Sequence, residues 1–130
     1  MMLALTLKET NEKLRRKEFS AKELVLATLE RIKKLDNRLD AFLTVCDEEA
    51  IKAAEAADQS IADGKFSPLM GIPYSAKDVF STEGVITTAS SKILEDYNPP
   101  YNATVVKRLN EAGAILIGKT NNDPFGFGSS

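Results

Sequence analysis

Gly71-Ile72-Pro73-Tyr74-Ser75-Ala76-Lys77-Asp78 is the stretch at which the organisation of this chain changes. The sequence before it has the periodicity of amphipathic helix, and the sequence after it reads as turns, one short helix and one apolar strand. An extended run alternates its side chains, which puts Ser75, Lys77 and Val79 on one face and Tyr74, Ala76 and Asp78 on the other. Lys77 thus shares a face with small or apolar neighbours and is separated from Asp78. Two readings of Lys77 stay open at this level. If its face is buried, desolvation lowers the ammonium pKa and offers an amine as a general base. Otherwise it is a solvated lysine at a strand end, loosely associated with Asp78, which is the commoner situation for lysine.

Working back from this stretch, Lys65-Phe66-Ser67-Pro68-Leu69 is a linker from a helical region. Asp47 is placed to cap a helix running through Ile51, Ala54 and Ala57 to Ile61, with Gly64 closing it in a left-handed conformation. The alanines on that helix permit close approach to a neighbour. Upstream, Val25, Leu29, Ile32, Leu35, Leu39 and Phe42 recur at three- and four-residue steps and define one face of a long helix. Ser20-Ala21-Lys22-Glu23 has capping-box spacing at its start, and Thr6-Leu7-Lys8-Glu9 repeats the device before a short charged helix ending near Lys17.

Working forward, Glu83-Gly84 and Asn98-Pro99-Pro100 punctuate loops that enclose a short β-prone run, Val85-Ile86-Thr87-Thr88. Asn102 is placed to cap a helix through Val106, Leu109 and Ala112, which Gly113 ends. The unbroken apolar run Ala114-Ile115-Leu116-Ile117 reads as a strand buried on both faces. Helix, glycine turn and buried strand together give the α/β class. Such a strand needs neighbours on both sides, and few other strands are evident, so partial exposure of 114–117 and poor solubility are expected. Gly118-Lys119-Thr120 has the spelling of a phosphate loop, but the glycine five residues earlier, Gly113, closes a helix and leads into a strand. A phosphate loop follows a strand and opens a helix, so nucleotide binding here is rejected.

The 130 residues, 43% hydrophobic and 28% charged, suffice for one ordinary domain with a core of its own. Seventeen basic and nineteen acidic residues are mixed along the helices for a net charge of −2, which leaves no basic stripe for a phosphate backbone. No stretch has membrane-spanning length and the apolar start lacks a secretory pattern; the lone Cys46 is what points to a cytoplasmic location. Cys46 alone excludes an internal disulfide and fits a packed thiol. There is no histidine, which removes the usual general base, the usual zinc ligand and the Ser-His and Cys-His pairs; no metal site is expected.

Taken in order, Gly71-Ile72-Pro73 with Lys77-Asp78, Thr87-Thr88, Ala103-Thr104-Val105-Val106 with Leu109 and Ala112-Gly113-Ala114, Gly118-Lys119-Thr120-Asn121, and Gly128-Ser129-Ser130 resemble the amino-terminal part of the amidase-signature family. The resemblance covers nearly the whole chain but only the first part of the family's domain. It implies N-terminal helices over residues 1–64 followed, over 65–130, by the first strands of an α/β/α catalytic core that is incomplete here. The leading Leu-Lys-Glu and Ser-Ala-Lys-Glu-Leu helices, and Ser91-Lys92-Ile93-Leu94-Glu95 before Pro99-Pro100-Tyr101, are most similar to the branch that acts with glutamyl-tRNA(Gln) as an amidotransferase.

That resemblance implies a Ser-cisSer-Lys triad with Lys77 as its catalytic lysine. Both triad serines would lie beyond Ser130, and the chain alone would be inactive. Ser129 and Ser130 match an element expected near the active site, as substrate-binding residues; a simple glycine-serine loop is the other reading. Glutamine would be the ammonia source, B and C subunits the partners, and charged tRNA a ligand of the complex. No cofactor would be bound by this chain, with ATP and Mg belonging to the whole assembly. Asn102 and Pro124 depart from the family pattern, and Pro124 restricts Asp123. The competing expectations are another amide hydrolase of the same family, or a non-catalytic 130-residue interaction module that docks through its helices.

Overall fold

The computed structural model describes residues 2–128. In chain order the elements are α1 (Leu7–Arg15), α2 (Ala21–Leu39), β1 (Phe42–Val45), α3 (Asp47–Ala62), β2 (Pro73–Lys77), α4 (Thr104–Glu111) and β3 (Ile115–Thr120). Single 3-10 turns occur at Met2–Ala4, Lys92–Leu94 and Pro124–Gly126. The three strands form one sheet in the order β1-β3-β2, with β3 antiparallel to β1 and parallel to β2. This is the α/β class that the sequence implies.

The helices start where the capping pattern places them. Thr6 and Ser20 each accept from the backbone N–H three residues on, and Glu9 and Glu23 reach back to the cap N–H groups. The N-terminus of α2 receives a second, tertiary cap, because both Asp58 carboxylate oxygens accept from it, Oδ1 from Ala21 N (2.6 Å) and Oδ2 from Lys22 N (3.1 Å). Gly113 (φ +81) ends α4 in the left-handed region, with its N–H donating to Asn110 O and the Ala114 N–H to Leu109 O.

Helices α2 and α3 lie against the sheet and share one core of Ala21, Leu24, Val25, Ala50, Ala54, Ala57 and Ile61 with Ile72, Ile115 and Ile117. The small residues at 21, 50, 54 and 57 let the two helix backbones and the sheet approach closely. The sheet is tight as well: a Cβ at Gly118 would collide with the Thr44 carbonyl oxygen and lie 3.2 Å from Val45 Cα, so only glycine fits there.

Several expectations are corrected by the structure. The long helix stops at Leu39 rather than reaching Phe42, because Asp40 turns left-handed (φ 47) and Asp36 Oδ1 accepts from Ala41 N and Phe42 N. That turn delivers the strand β1. With β1 on one side and β2 on the other, β3 is the central strand; Ile115 and Ile117 on one face are 1% and 2% exposed, and only Leu116 on the other face is half-buried, so the expected exposure of 114–117 is confined to that one residue. Asp47 is the first residue inside α3 and its side chain accepts only from Glu48 N, while Cys46 occupies the cap without a side-chain bond. Asn102 does not cap α4; its Oδ1 accepts from Glu83 N instead. Val85–Thr88 forms no strand, and only a single Thr82–Val85 bridge is present.

Candidate active site

Strands β2 and β3 run parallel and end together, with Lys77 opposite Thr120. The loops that leave them, residues 78–91 and 121–128, meet beyond those ends. In parallel α/β sheets the crevice outside the carboxyl ends of the strands is where ligands are met, and Lys77 stands at its edge. The side chains of Ser75 and Lys77 are exposed, whereas Ala76 and Asp78 are buried. The alternation read from the sequence holds, but in this chain the lysine face is the open one, so burial does not desolvate Lys77. None of the ion pairs among the described residues involves it.

Asp78 is not a loose neighbour of Lys77. It is fully buried and paired with Lys119 across the sheet, with Oδ1 3.1 Å from Nζ. The approach at Oδ1 is that of an ion pair without a well-aligned hydrogen bond. The aligned donations of Lys119 go to the Phe80 carbonyl oxygen (2.9 Å) and to Thr87 Oγ1 (2.8 Å). Asp78 Oδ2 accepts from Thr88 N (2.8 Å) and Thr88 Oγ1 (2.6 Å). Burial pushes the Lys119 ammonium below its ordinary value, while the adjacent Asp78 carboxylate pulls it back up. The two buried charges thus hold the start and the middle of the 78–91 loop to the strand ends.

That loop carries two consecutive non-glycine residues in the left-handed region, Ala89 (φ 49) and Ser90 (φ 54). Such conformations are uncommon and cluster where surrounding contacts over-determine the backbone. Here those contacts are Ala89 N to Asp78 O, Ser90 N to Thr88 Oγ1 and Ser90 Oγ to Asn121 Oδ1. The Ala89 carbonyl in turn accepts from Phe125 N (2.9 Å), which seats the Pro124–Gly126 turn over Lys77. A Cβ at Gly126 would lie 3.8 Å from Lys77 Nζ and 3.5 Å from a Val79 methyl. Asp123 is extended (ψ 146), as the proline after it requires. Ser129 and Ser130 lie outside the described residues.

Sequence reasoning thus places Lys77 at the crevice but misses the role of Lys119, which it reads as part of a false phosphate loop and as one element of the family resemblance. The signal available was Lys119 inside the apolar run Ile115–Thr120. An ammonium on a strand buried on both faces needs a buried anion, and Asp78, on the buried face of β2, supplies it. A cavity of about 580 Å³ is lined by Cys46, Ala57, Met70, Thr82 and Asn110, but it does not include Lys77. Burial raises the Cys46 thiol above its ordinary value, which makes it a poor nucleophile. Among the described residues no cluster of three Cys, Asp or Glu side chains is placed to hold a metal ion.

Residues 23–130 match the family model described as Amidase. The A subunit of the glutamyl-tRNA(Gln) amidotransferase from Desulfatibacillum aliphaticivorans is 51% identical over 97% of this chain, and its counterpart from Geobacter metallireducens is 50% identical over 97%. In both cases the match occupies 26% of the relative, so the chain spans about a quarter of the length of the curated relatives it matches. Among solved structures, the native peptide amidase of Stenotrophomonas maltophilia superposes with a TM-score of 0.87 at 32% identity, over 92% of this chain and 25% of that one. A bacterial aryl acylamidase of the amidase signature family superposes with a TM-score of 0.85 at 26% identity, over 95% of this chain and 26% of that one.

Proposed function

The chain belongs to the amidase family, and on that premise we propose that it is the N-terminal portion of the glutamine-hydrolysing A subunit of a glutamyl-tRNA(Gln) amidotransferase. The observation that carries this reading is the identity of about half over nearly the whole chain to amidotransferase A subunits, well above its identity to the amide hydrolases of the same fold. In the complete subunit Lys77 would be the base of a Ser-cisSer-Lys triad. The lysine amine takes a proton through the bridging serine, and the second serine attacks the glutamine amide carbon. The amide C–N bond breaks, ammonia leaves, and water hydrolyses the acyl-enzyme to glutamate.

A neutral amine is the form able to accept that proton. The open face of β2 around Ser75 and Lys77 would then have to be covered by the rest of the subunit, which supplies the desolvation that this quarter lacks. Both serines would come from beyond Ser130, so residues 1–130 alone are expected to hydrolyse nothing. Ser129 and Ser130 would lie near the substrate.

The ammonia would pass to glutamate on tRNA within a complex with B and C subunits, in the cytoplasm. ATP and Mg would activate that glutamate on a partner. The run Gly118-Lys119-Thr120 does not fit a triphosphate, since it lies on a strand and its ammonium is buried and already engaged. Among the described residues no helix is long and apolar enough to cross a membrane.

The test is substrate choice in a complete subunit made by joining residues 1–130 to the remainder of a curated relative, assembled with that relative's partner subunits. Glutamine-dependent amidation of glutamyl-tRNA(Gln) is expected. An assembly that is folded yet turns over only peptide or aryl amides would overturn the amidotransferase reading in favour of another amide hydrolase.

A further inference from the structure

We propose that Asp78 and Lys119 are positioning residues for Lys77, their buried ion pair holding in place the two loops that wall it. This deepens the reading of Lys77 as the base and rests on it. The pair reaches Lys77 along two routes. On one side Lys119 Nζ donates to the Phe80 carbonyl oxygen, and Phe80 N donates to the carbonyl oxygen of Lys77 itself (3.0 Å). On the other, Asp78 Oδ2 takes both the N–H and the hydroxyl of Thr88, and the neighbouring Ala89 carbonyl receives Phe125 N. That last bond places Gly126 against the Lys77 amine.

The chemistry of the pair supports positioning over simple cohesion. Two fully buried charges cost more to desolvate than apolar side chains of the same size, and the other buried polar side chains among the described residues, Thr10, Thr82 and Thr87, are uncharged. Their hydrogen bonds go to loop atoms, at Phe80, Thr87 and Thr88, and to no helix. What they fix is therefore the path of residues 80–89, including the left-handed Ala89 and Ser90, and through it the turn at 124–126. Catalytic rates fall steeply when a reacting group is displaced by as little as an ångström.

The experiment uses the complete subunit described above, with active sites counted by titration so that rates refer to folded enzyme. Lys119→Met and Thr88→Val are expected to lower kcat for glutamine by about 10–100-fold while KM changes by less than about two-fold. Thr88→Ser, which keeps the hydroxyl that Asp78 accepts, restores the rate. Unchanged kcat per active site in Lys119→Met and Thr88→Val, or a Thr88→Ser enzyme as slow as Thr88→Val, would contradict the proposal. If Lys119→Met fails to fold, Thr88→Val carries the test, since it removes only the two bonds of one hydroxyl, its donation to Asp78 Oδ2 and its acceptance from Ser90 N. Lys77→Ala runs in parallel: full activity there would sink the assignment of the base, independently of the pair.

A second readout does not depend on activity. In the 130-residue chain, amide hydrogen exchange at Phe125 is expected to quicken by at least about tenfold in Thr88→Val. Exchange at Phe125 that stays as slow as in the unaltered chain would overturn the link between the pair and the turn over Lys77.

Discussion

The two halves of this molecule are held together by different means. The α2–α3 layer is joined to the sheet by small and aliphatic side chains, and its polar contacts include a cap at Ser20 and Asp58, a Thr28 hydroxyl bonded within α2 and an exposed Lys22–Glu55 pair, none of these reaching the sheet. The loops beyond β2 and β3 have almost no apolar core. They are held by a buried ion pair, two threonine hydroxyls and a relay of backbone bonds. Apolar packing is tolerant of small shifts, whereas hydrogen bonds to buried charges demand defined distances and angles. The difference teaches where this chain invests in geometry: at the strand ends beside Lys77, rather than in the helical layer.

The comparison can be broken at the pair. In urea unfolding of this chain, Lys119→Met is expected to cost about 3–5 kcal/mol, because it leaves the Asp78 carboxylate buried without a counter-charge. A double variant that also replaces Asp78 by leucine should recover only part of this, since Phe80 O and the Thr88 N–H still lose their partners. Full recovery would mean the pair does no more than an apolar contact. In the helical layer, Ala54→Val adds two methyl groups where the side chain has 0% exposure, and a loss of about 1–3 kcal/mol is expected. Ser20→Ala removes one cap of a doubly capped helix end and should cost about 1 kcal/mol, read from the same urea midpoints.

The smallest effect sharpens the comparison through pH. Burial, with a smaller contribution from the Cys46 thiol nearby, raises the Tyr74 hydroxyl from 10.0 to about 12. A folded value above the unfolded one means that the folded state holds its proton longer, so this contribution is fully present below pH 10 and is lost as pH rises to about 12. Tyr74→Phe should flatten that part of the alkaline stability curve, as followed by thermal unfolding between pH 9.5 and 11.5, roughly the window set by the linkage.

Much of this was legible in the sequence, and the reasons differ from element to element. Capping boxes at Thr6 and Ser20 and the glycine turn at Gly113 are local signals, and they hold. The turn at Asp40 was not legible because it uses an aspartate rather than glycine or asparagine in the left-handed region, so the helical stripe seemed to run on to Phe42 and hid β1. Without β1 the central strand reads as exposed. Lys77 could be placed by alternation and by family likeness, but the role of Asp78 could not. Its partner Lys119 lies forty-one positions away by residue number, and only the parallel register of β2 with β3 brings the two together.

The proposed role of Lys77 as the base is read from the rate of glutamine hydrolysis in a complete subunit carrying Lys77→Ala. A loss of about 10²–10⁴-fold in kcat, with the loops and stability unchanged, is the predicted result. A variant that keeps a rate within about threefold of the unaltered subunit would contradict the account, since no general base of that strength could be missing.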